Sequence, residues 1–185
     1  MGKSASGKDS IYKMLLLKNQ ELKKIAIYTT RPKRDNERDG IEYHFVDCVY
    51  LDKYKDKIIE KRVYHTVYGD WYYATLDDGH ITKDNNYLMI GTLESYIKLR
   101  EYFGKENVYP LYIEVDDKER KNRALSRELK QKEPKLEEME RRWREDEKDF
   151  SEENIEKALI NKRYKNNDLE EVVACILKDI ERTIK

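Results

Sequence analysis

Met1-Gly2-Lys3-Ser4-Ala5-Ser6-Gly7-Lys8-Asp9-Ser10, MGKSASGKDS, is the stretch whose reading decides the fold. Gly2, four intervening residues, Gly7 and Lys8 match the GxxxxGK pattern of a phosphate-binding loop, which links a buried strand to a helix. Successive backbone N–H groups of such a turn, with the helix N-terminus behind them, cradle phosphate oxygens, and the lysine ammonium reaches the terminal phosphates. Gly2, Ser4, Ser6, Gly7, Lys8, Asp9 and Ser10 are the expected nucleotide-phosphate contacts. Ser or Thr usually follows the lysine and ligates Mg²⁺; here Asp9 follows, then Ser10. A carboxylate is also a hard oxygen ligand, so Asp9 or Ser10 is the expected metal ligand. The strand that should come before the loop is missing from the sequence. Either the true chain starts upstream of Met1, or the sheet lacks its usual first strand and the loop is loosely anchored.

Outward from the loop, residues 9–18 carry Ile11, Met14, Leu15 and Leu17 at helical spacing, as the helix behind a phosphate loop should. A short strand is expected over 24–30, a charged loop over 31–40, a strand over 41–47, a helix over 51–61, and two short strands within 62–75 around Tyr68-Gly69-Asp70. Residues 86–91 and 108–115 read as buried strands joined by a helix over 94–103, an alternation that predicts parallel pairing. Residues 117–148 form a charged helical stretch broken near Pro134, and 169–184 an amphipathic last helix capped by Asn166, Asn167 and Asp168. The expected class is α/β: a parallel sheet flanked by helices, with a small β-rich insert.

Composition narrows the function. Lysine plus arginine and aspartate plus glutamate each number 38 in 185 residues, so no net field draws the chain to nucleic acid or an anionic membrane. Charged residues make up 41%, yet 15 tyrosines and regular apolar periodicity argue against disorder. Cys48 and Cys175 are too few for a disulfide framework or a metal cluster, and His44, His65 and His80 show neither metal spacing nor an evident Asp or Ser partner. With no leader and no membrane-length apolar run, a cytoplasmic setting is expected.

A second constellation sharpens the reading: Thr29-Thr30-Arg31-Pro32-Lys33-Arg34, then Asp39-Gly40, Glu42-Tyr43-His44-Phe45, and Gly69-Asp70-Trp71-Tyr72-Tyr73. In order and spacing these resemble the TTRxPR stretch, acidic-glycine strand and GxYYG turn of the guanylate kinase family. The resemblance runs from the phosphate loop through Arg123-Ala124-Leu125-Ser126-Arg127 to Lys165-Asn166-Asn167-Asp168-Leu169. It implies a nucleoside monophosphate kinase fold in one domain: core 1–30, 81–120 and 151–185, monophosphate-binding insert 31–80, and helical lid 121–150. It also implies transfer of the γ-phosphoryl of Mg²⁺-bound ATP to a nucleoside monophosphate, GMP or dGMP. Independently of family, arginine forks and tyrosine hydroxyls suit a dianionic phosphate, and Arg31, Arg34, Tyr43 and Tyr72 supply that set.

By the same resemblance Lys8, Arg34, Arg123, Arg127 and Arg142 are the catalytic cations, and Asn166 falls near the adenine of ATP. The pattern breaks at the base. Guanine offers N1–H and N2–H₂ donors that need acceptors, whereas the family's upstream glutamate falls near Val63 or Tyr64, its central-strand aspartate near Ile90, and Thr92 takes a second acidic position. Glu60, Thr66, Thr75 and Glu94 are replacements only under a shifted alignment, with Thr75 and Thr92 the expected base contacts; the family's phosphate-segment serine is Ile27. A kinase for another nucleotide, or a catalytically inactive guanylate kinase-like binding module, are the alternatives.

Overall fold

The computed structural model describes residues 1–35, 37–66 and 68–184; positions 36 and 67, within the expected loop and hairpin, lie outside them. In chain order the elements are α1 (Lys8–Lys18), β1 (Leu22–Lys24), β2 (Tyr28–Thr29), β3 (His44–Phe45), α2 (Cys48–Lys53), β4 (Ile58–Thr66), β5 (Gly69–Leu76), β6 (Asn86–Leu88), α3 (Leu93–Phe103), β7 (Tyr112–Glu114), α4 (Asp117–Leu129), α5 (Leu136–Asp149), α6 (Glu152–Lys157), β8 (Arg163–Lys165) and α7 (Leu169–Thr183).

Helices α1 and α7 form because each carries an apolar stripe with a partner. Ile11 and Leu15, one turn apart, meet Val172, Val173 and Ile176 over Leu22, Ile113 and Tyr164. Burial of each such side chain contributes about 1.5–3 kcal/mol. The cap of α7 is Asp168, which accepts from the Glu171 N–H; Asn166 is used elsewhere. Strand β8 and helix α6 lie between the elements expected from the sequence.

Pairing differs from the expectation. Strands β6 and β7 are not partners: β1 pairs with β6, and β7 with β8, each in parallel. Met1 runs beside β7, its α-ammonium donating to Leu111 O (2.7 Å) and its carbonyl accepting from Ile113 N (2.9 Å). The phosphate loop is thereby anchored to the sheet through one residue.

The insert is a four-stranded sheet in the order β3-β2-β5-β4. The expected strand over 24–30 is split: Leu22–Lys24 joins one sheet and Tyr28–Thr29 the other. The expected helix over 51–61 is instead the end of α2, a short 3-10 turn and the start of β4. The β4–β5 hairpin turns earlier than expected, setting Thr66 opposite Gly69 and Glu60 opposite Thr75. A turn centred on Tyr68-Gly69-Asp70 would have set Val63 there.

Helices α4 and α5 break at Pro134 as expected. They are joined through Arg120, only 1% exposed, which lies 3.5 Å from the Trp143 ring centroid and pairs with Asp117 (2.9 Å), Asp146 (3.8 Å) and Glu147. The two cysteines are free and exposed, and among the described residues no helix is long and apolar enough to cross a membrane.

Candidate active site

Backbone geometry of the loop explains its glycines. Gly2 (φ 149°) lies so close to β7 that a Cβ would come 2.4 Å from the Ile113 carbonyl, and one on Gly7 (φ 85°) would come 2.3 Å from the Asn166 amide nitrogen. That contact is how Asn166 serves the loop: its side-chain N–H donates to Ser6 O at 2.8 Å. Ser4 N–H donates to the Asp146 carboxylate and Lys3 to Glu147, each at 2.7 Å, so the Arg120 cluster also holds the loop from the α5 side. Ser6 Oγ is buried without a hydrogen-bond partner among the described residues. Lys8 and the exposed Asp9 and Ser10 open α1, whose first-turn N–H groups are uncapped by any side chain. The whole is a ready anion cradle.

One loop residue departs from ideal geometry. Ala5 holds φ 62°, in the left-handed region. A Cβ there costs about 1–2 kcal/mol, partly offset by the extra freedom glycine has when unfolded. Ala5→Gly is expected to raise stability by about 0.5–1 kcal/mol, readable as a higher denaturant midpoint at unchanged slope; a fall in midpoint would refute the strain.

Strand alternation gives the insert sheet two chemically distinct faces. Tyr28, Ala74, Leu76 and Tyr72 point into an apolar cluster with Leu51, Tyr50 and Tyr54. The opposite face carries Arg31, Tyr43, Phe45 and Tyr73. Arg31 is 5% exposed, its guanidinium carbon 5.4 Å and 5.7 Å from the Tyr43 and Phe45 ring centroids, and it pairs with Glu37 at 2.6 Å. Burial opposes its charge, but Glu37 and Tyr73 outweigh that and raise its pKa above the ordinary arginine value. Tyr73 makes edge contacts with Tyr43 and Tyr64. Of the expected phosphate tyrosines, Tyr43 is therefore on the arginine face, whereas Tyr72 is turned into the core and Tyr73 takes its place. A one-residue change of parity decides which.

Further along that face lies Glu60, 4% exposed. One carboxylate oxygen accepts from Thr75 Oγ (2.8 Å), the other from Ser95 Oγ (3.2 Å) with Arg62 Nε 3.2 Å away. Thr92, the N-cap of α3, contacts Ser95 Oγ at 3.0 Å. Thr75 and Thr92 are thus linked through Glu60 and Ser95. The shifted alignment that Glu60 needed is the hairpin register itself.

The lid arginines divide. Arg127 and Arg142 line a cavity of about 350 Å³ together with Ser4 of the loop and Arg34 of the insert. Glu138 holds Arg142 at 2.8 Å; its carboxyl is pulled down to about 2, first by hydrogen bonding from Arg141. Arg123 lies apart, donating to Glu119 (3.0 Å) and to the Asn166 carbonyl (3.2 Å), where it braces the loop. His65 and His80 do have carboxylate partners, Asp70 at 2.7 Å and Asp78 at 2.9 Å, but both histidines are exposed and stand outside this site. Sequence reading missed Tyr73, Arg62, Arg120 and Asp146. Strand parity counted from the correct turn signals the first two; nothing local signals the others.

An α/β fold with an anion cradle at a helix start, facing an arginine- and tyrosine-lined insert, defines a P-loop nucleotide-binding protein. The family profile described as guanylate kinase matches residues 1–183, and the chain belongs to that family. Among curated relatives it resembles "Guanylate kinase" of Zymomonas mobilis, 42% identical over 50 residues (27% of this chain, 23% of the relative), and "Guanylate kinase" of Bacteroides fragilis, 28% identical over 116 residues (60% and 55%). These matches span about half the relatives' length or less. Among solved structures, the crystal structure of guanylate kinase from Anaplasma phagocytophilum superposes with TM-score 0.60 at 22% identity, covering 100% of this chain and 85% of that one.

Proposed function

We propose that this protein transfers the γ-phosphoryl of ATP to a nucleoside monophosphate, GMP or dGMP, giving GDP or dGDP. The observation that carries the reading is the convergence of Ser4, Arg34, Arg127 and Arg142 on one cavity of about 350 Å³, which brings residues of the loop, the insert and helices α4 and α5 together. Phosphoryl transfer needs in-line positioning, charge neutralisation and exclusion of water rather than covalent help. In this reading the loop amides and Lys8 hold the ATP phosphates, and Arg31, Tyr43 and Tyr73 hold the acceptor phosphate. Arg34, Arg127 and Arg142 neutralise the moving phosphoryl group. Arg123 and Asn166 position the loop.

Asp9 and Ser10 are exposed hard-oxygen donors at the start of α1. That donor set suits Mg²⁺, which takes one or two protein oxygens and completes its shell with phosphates and water. When bound, Mg²⁺ supplies charge neutralisation at the phosphates. The insert 31–80 then acts as the acceptor arm, 121–150 as the lid, and the setting is cytoplasmic.

Glu60 supports guanine as the base. A carboxylate is acceptor-only and matches the N1–H and N2–H₂ donors, while adenine presents an unprotonated N1 there. The test is ADP release with GMP, dGMP, AMP, CMP, UMP and dTMP offered in turn. Turnover is expected with GMP and dGMP, and Glu60→Gln is expected to lower kcat/KM for GMP by about 10–100-fold through loss of a charged hydrogen bond. Preference for a pyrimidine would overturn the base assignment. A second reading has one observation in its favour: Asp146 occupies the Ser4 N–H that a phosphate would use. Nucleotide binding without turnover of any acceptor would select a non-catalytic binding module.

A further inference from the structure

Arg62 is the residue on the substrate-facing side of the insert that the reading above leaves unused. It follows Glu60 by two positions on β4, so the two share a face, and it stands opposite Tyr73 across the hairpin. Its side chain is 12% exposed, and its Nε is 3.2 Å from Glu60 Oε2. That nitrogen is nevertheless buried without a hydrogen bond of good geometry among the described residues. A guanidinium N–H buried without a well-formed hydrogen bond is costly, and a ligand that draws on the same guanidinium can offset that cost.

The order of groups along this wall is informative. Moving from the end of Glu60 toward Tyr43 and Arg31, the chain presents a carboxylate, then a guanidinium, then the phosphate-gripping residues. The edge of guanine presents two donors, N2–H₂ and N1–H, then two acceptors, O6 and N7. An acceptor pair beside a donor pair is the complement of that edge. Arginine's planar fork suits O6 and N7 in particular, since it offers two parallel N–H groups.

Resting on the kinase reading above, we propose that Arg62 is a specificity-determining residue that donates to O6 and N7 of the guanine base while Glu60 accepts from N1–H and N2–H₂. Adenine is rejected twice. Its N6–H₂ donor faces the Arg62 donors, and its N1 acceptor faces the Glu60 carboxylate.

The experiment compares GMP with 7-deaza-GMP, in which N7 is replaced by a C–H group and every Glu60 contact is retained. Both kcat/KM and equilibrium affinity by calorimetry are measured on the intact chain. The unaltered protein is expected to prefer GMP by about 2- to 10-fold, the scale of a lost half of a bidentate contact. Arg62→Met is expected to bring the two substrates level while leaving the preference of GMP over IMP, which reports the Glu60 contact, in place. Equal handling of GMP and 7-deaza-GMP by the unaltered protein would overturn the proposal without recourse to any variant, so a poorly folded Arg62→Met does not protect it. Base preference in binding with no turnover would keep the Arg62 assignment and reject the kinase reading; absence of GMP binding would reject both.

Discussion

Lys8→Ala is expected to lower phosphoryl transfer by about 10²–10³-fold or more, with the protein remaining folded. Lys8 is the first residue of α1, directly after the left-handed Gly7, and is half-buried rather than part of the apolar core. In the proposed reaction, charge developing on the β- and γ-phosphates is to be neutralised by fixed groups rather than by mobile water, and a fixed ammonium is worth most there. The apolar contacts of α1 come from Ile11 and Leu15, which the substitution does not touch, and alanine is the better helix former. Steady-state ADP release and a denaturant melt on the same preparation check both halves. Unaltered turnover would remove the phosphate-loop assignment.

Arg120→Ala carries the largest expected effect on stability, a loss of about 3 kcal/mol, at the lower end of the range for a broken buried ion pair. Arg120 is buried, stacks on Trp143, and faces Asp117, Asp146 and Glu147. Its removal leaves carboxylates facing one another across the α4–α5 junction and empties the space over the indole ring. Asp117 and Glu147 are 65% and 41% exposed, so water compensates them in part, which is why the loss stays below that of a fully enclosed triad. The consequence reaches the site, because Asp146 and Glu147 are the groups that hold Ser4 and Lys3 of the loop. A weakened grip on nucleotide should therefore accompany the lower denaturant midpoint. A midpoint within about 0.5 kcal/mol of the parent would show that the cluster is dispensable.

Some of this was legible along the chain because the signals are local. Gly2, Gly7 and Lys8 announce the cradle through backbone chemistry that few other residues can perform. The helical periods of 9–18, 94–103 and 169–184 follow from apolar spacing, and Pro134 marks the break between α4 and α5. Arg31, Arg34, Tyr43 and the lid arginines followed from the resemblance and from the fit of arginine to phosphate.

Other features were set by register and packing. Tyr72 and Tyr73 are chemically the same residue, and only the parity of β5 turns the first into the core and the second toward Arg31. Glu60 was hidden because the hairpin turn lies a little earlier than its glycine suggests, and each step of turn position moves the cross-strand partner by two. Asn166 reads as a helix cap until the fold brings it under Ser6, leaving Asp168 to do the capping. Arg120 is one cation among many in a charged helix, and burial alone distinguishes it.

The sequence by itself determined the α/β class, the phosphate cradle and the cations that suit a phosphate, because these rest on residue chemistry and on periods contained within one element. Tertiary structure alone decided which tyrosine meets the arginine, which carboxylate lies on the same face, and that Arg62 stands beside it. Those relations join residues on different strands, and a pairing register is a property of two segments that neither segment carries alone.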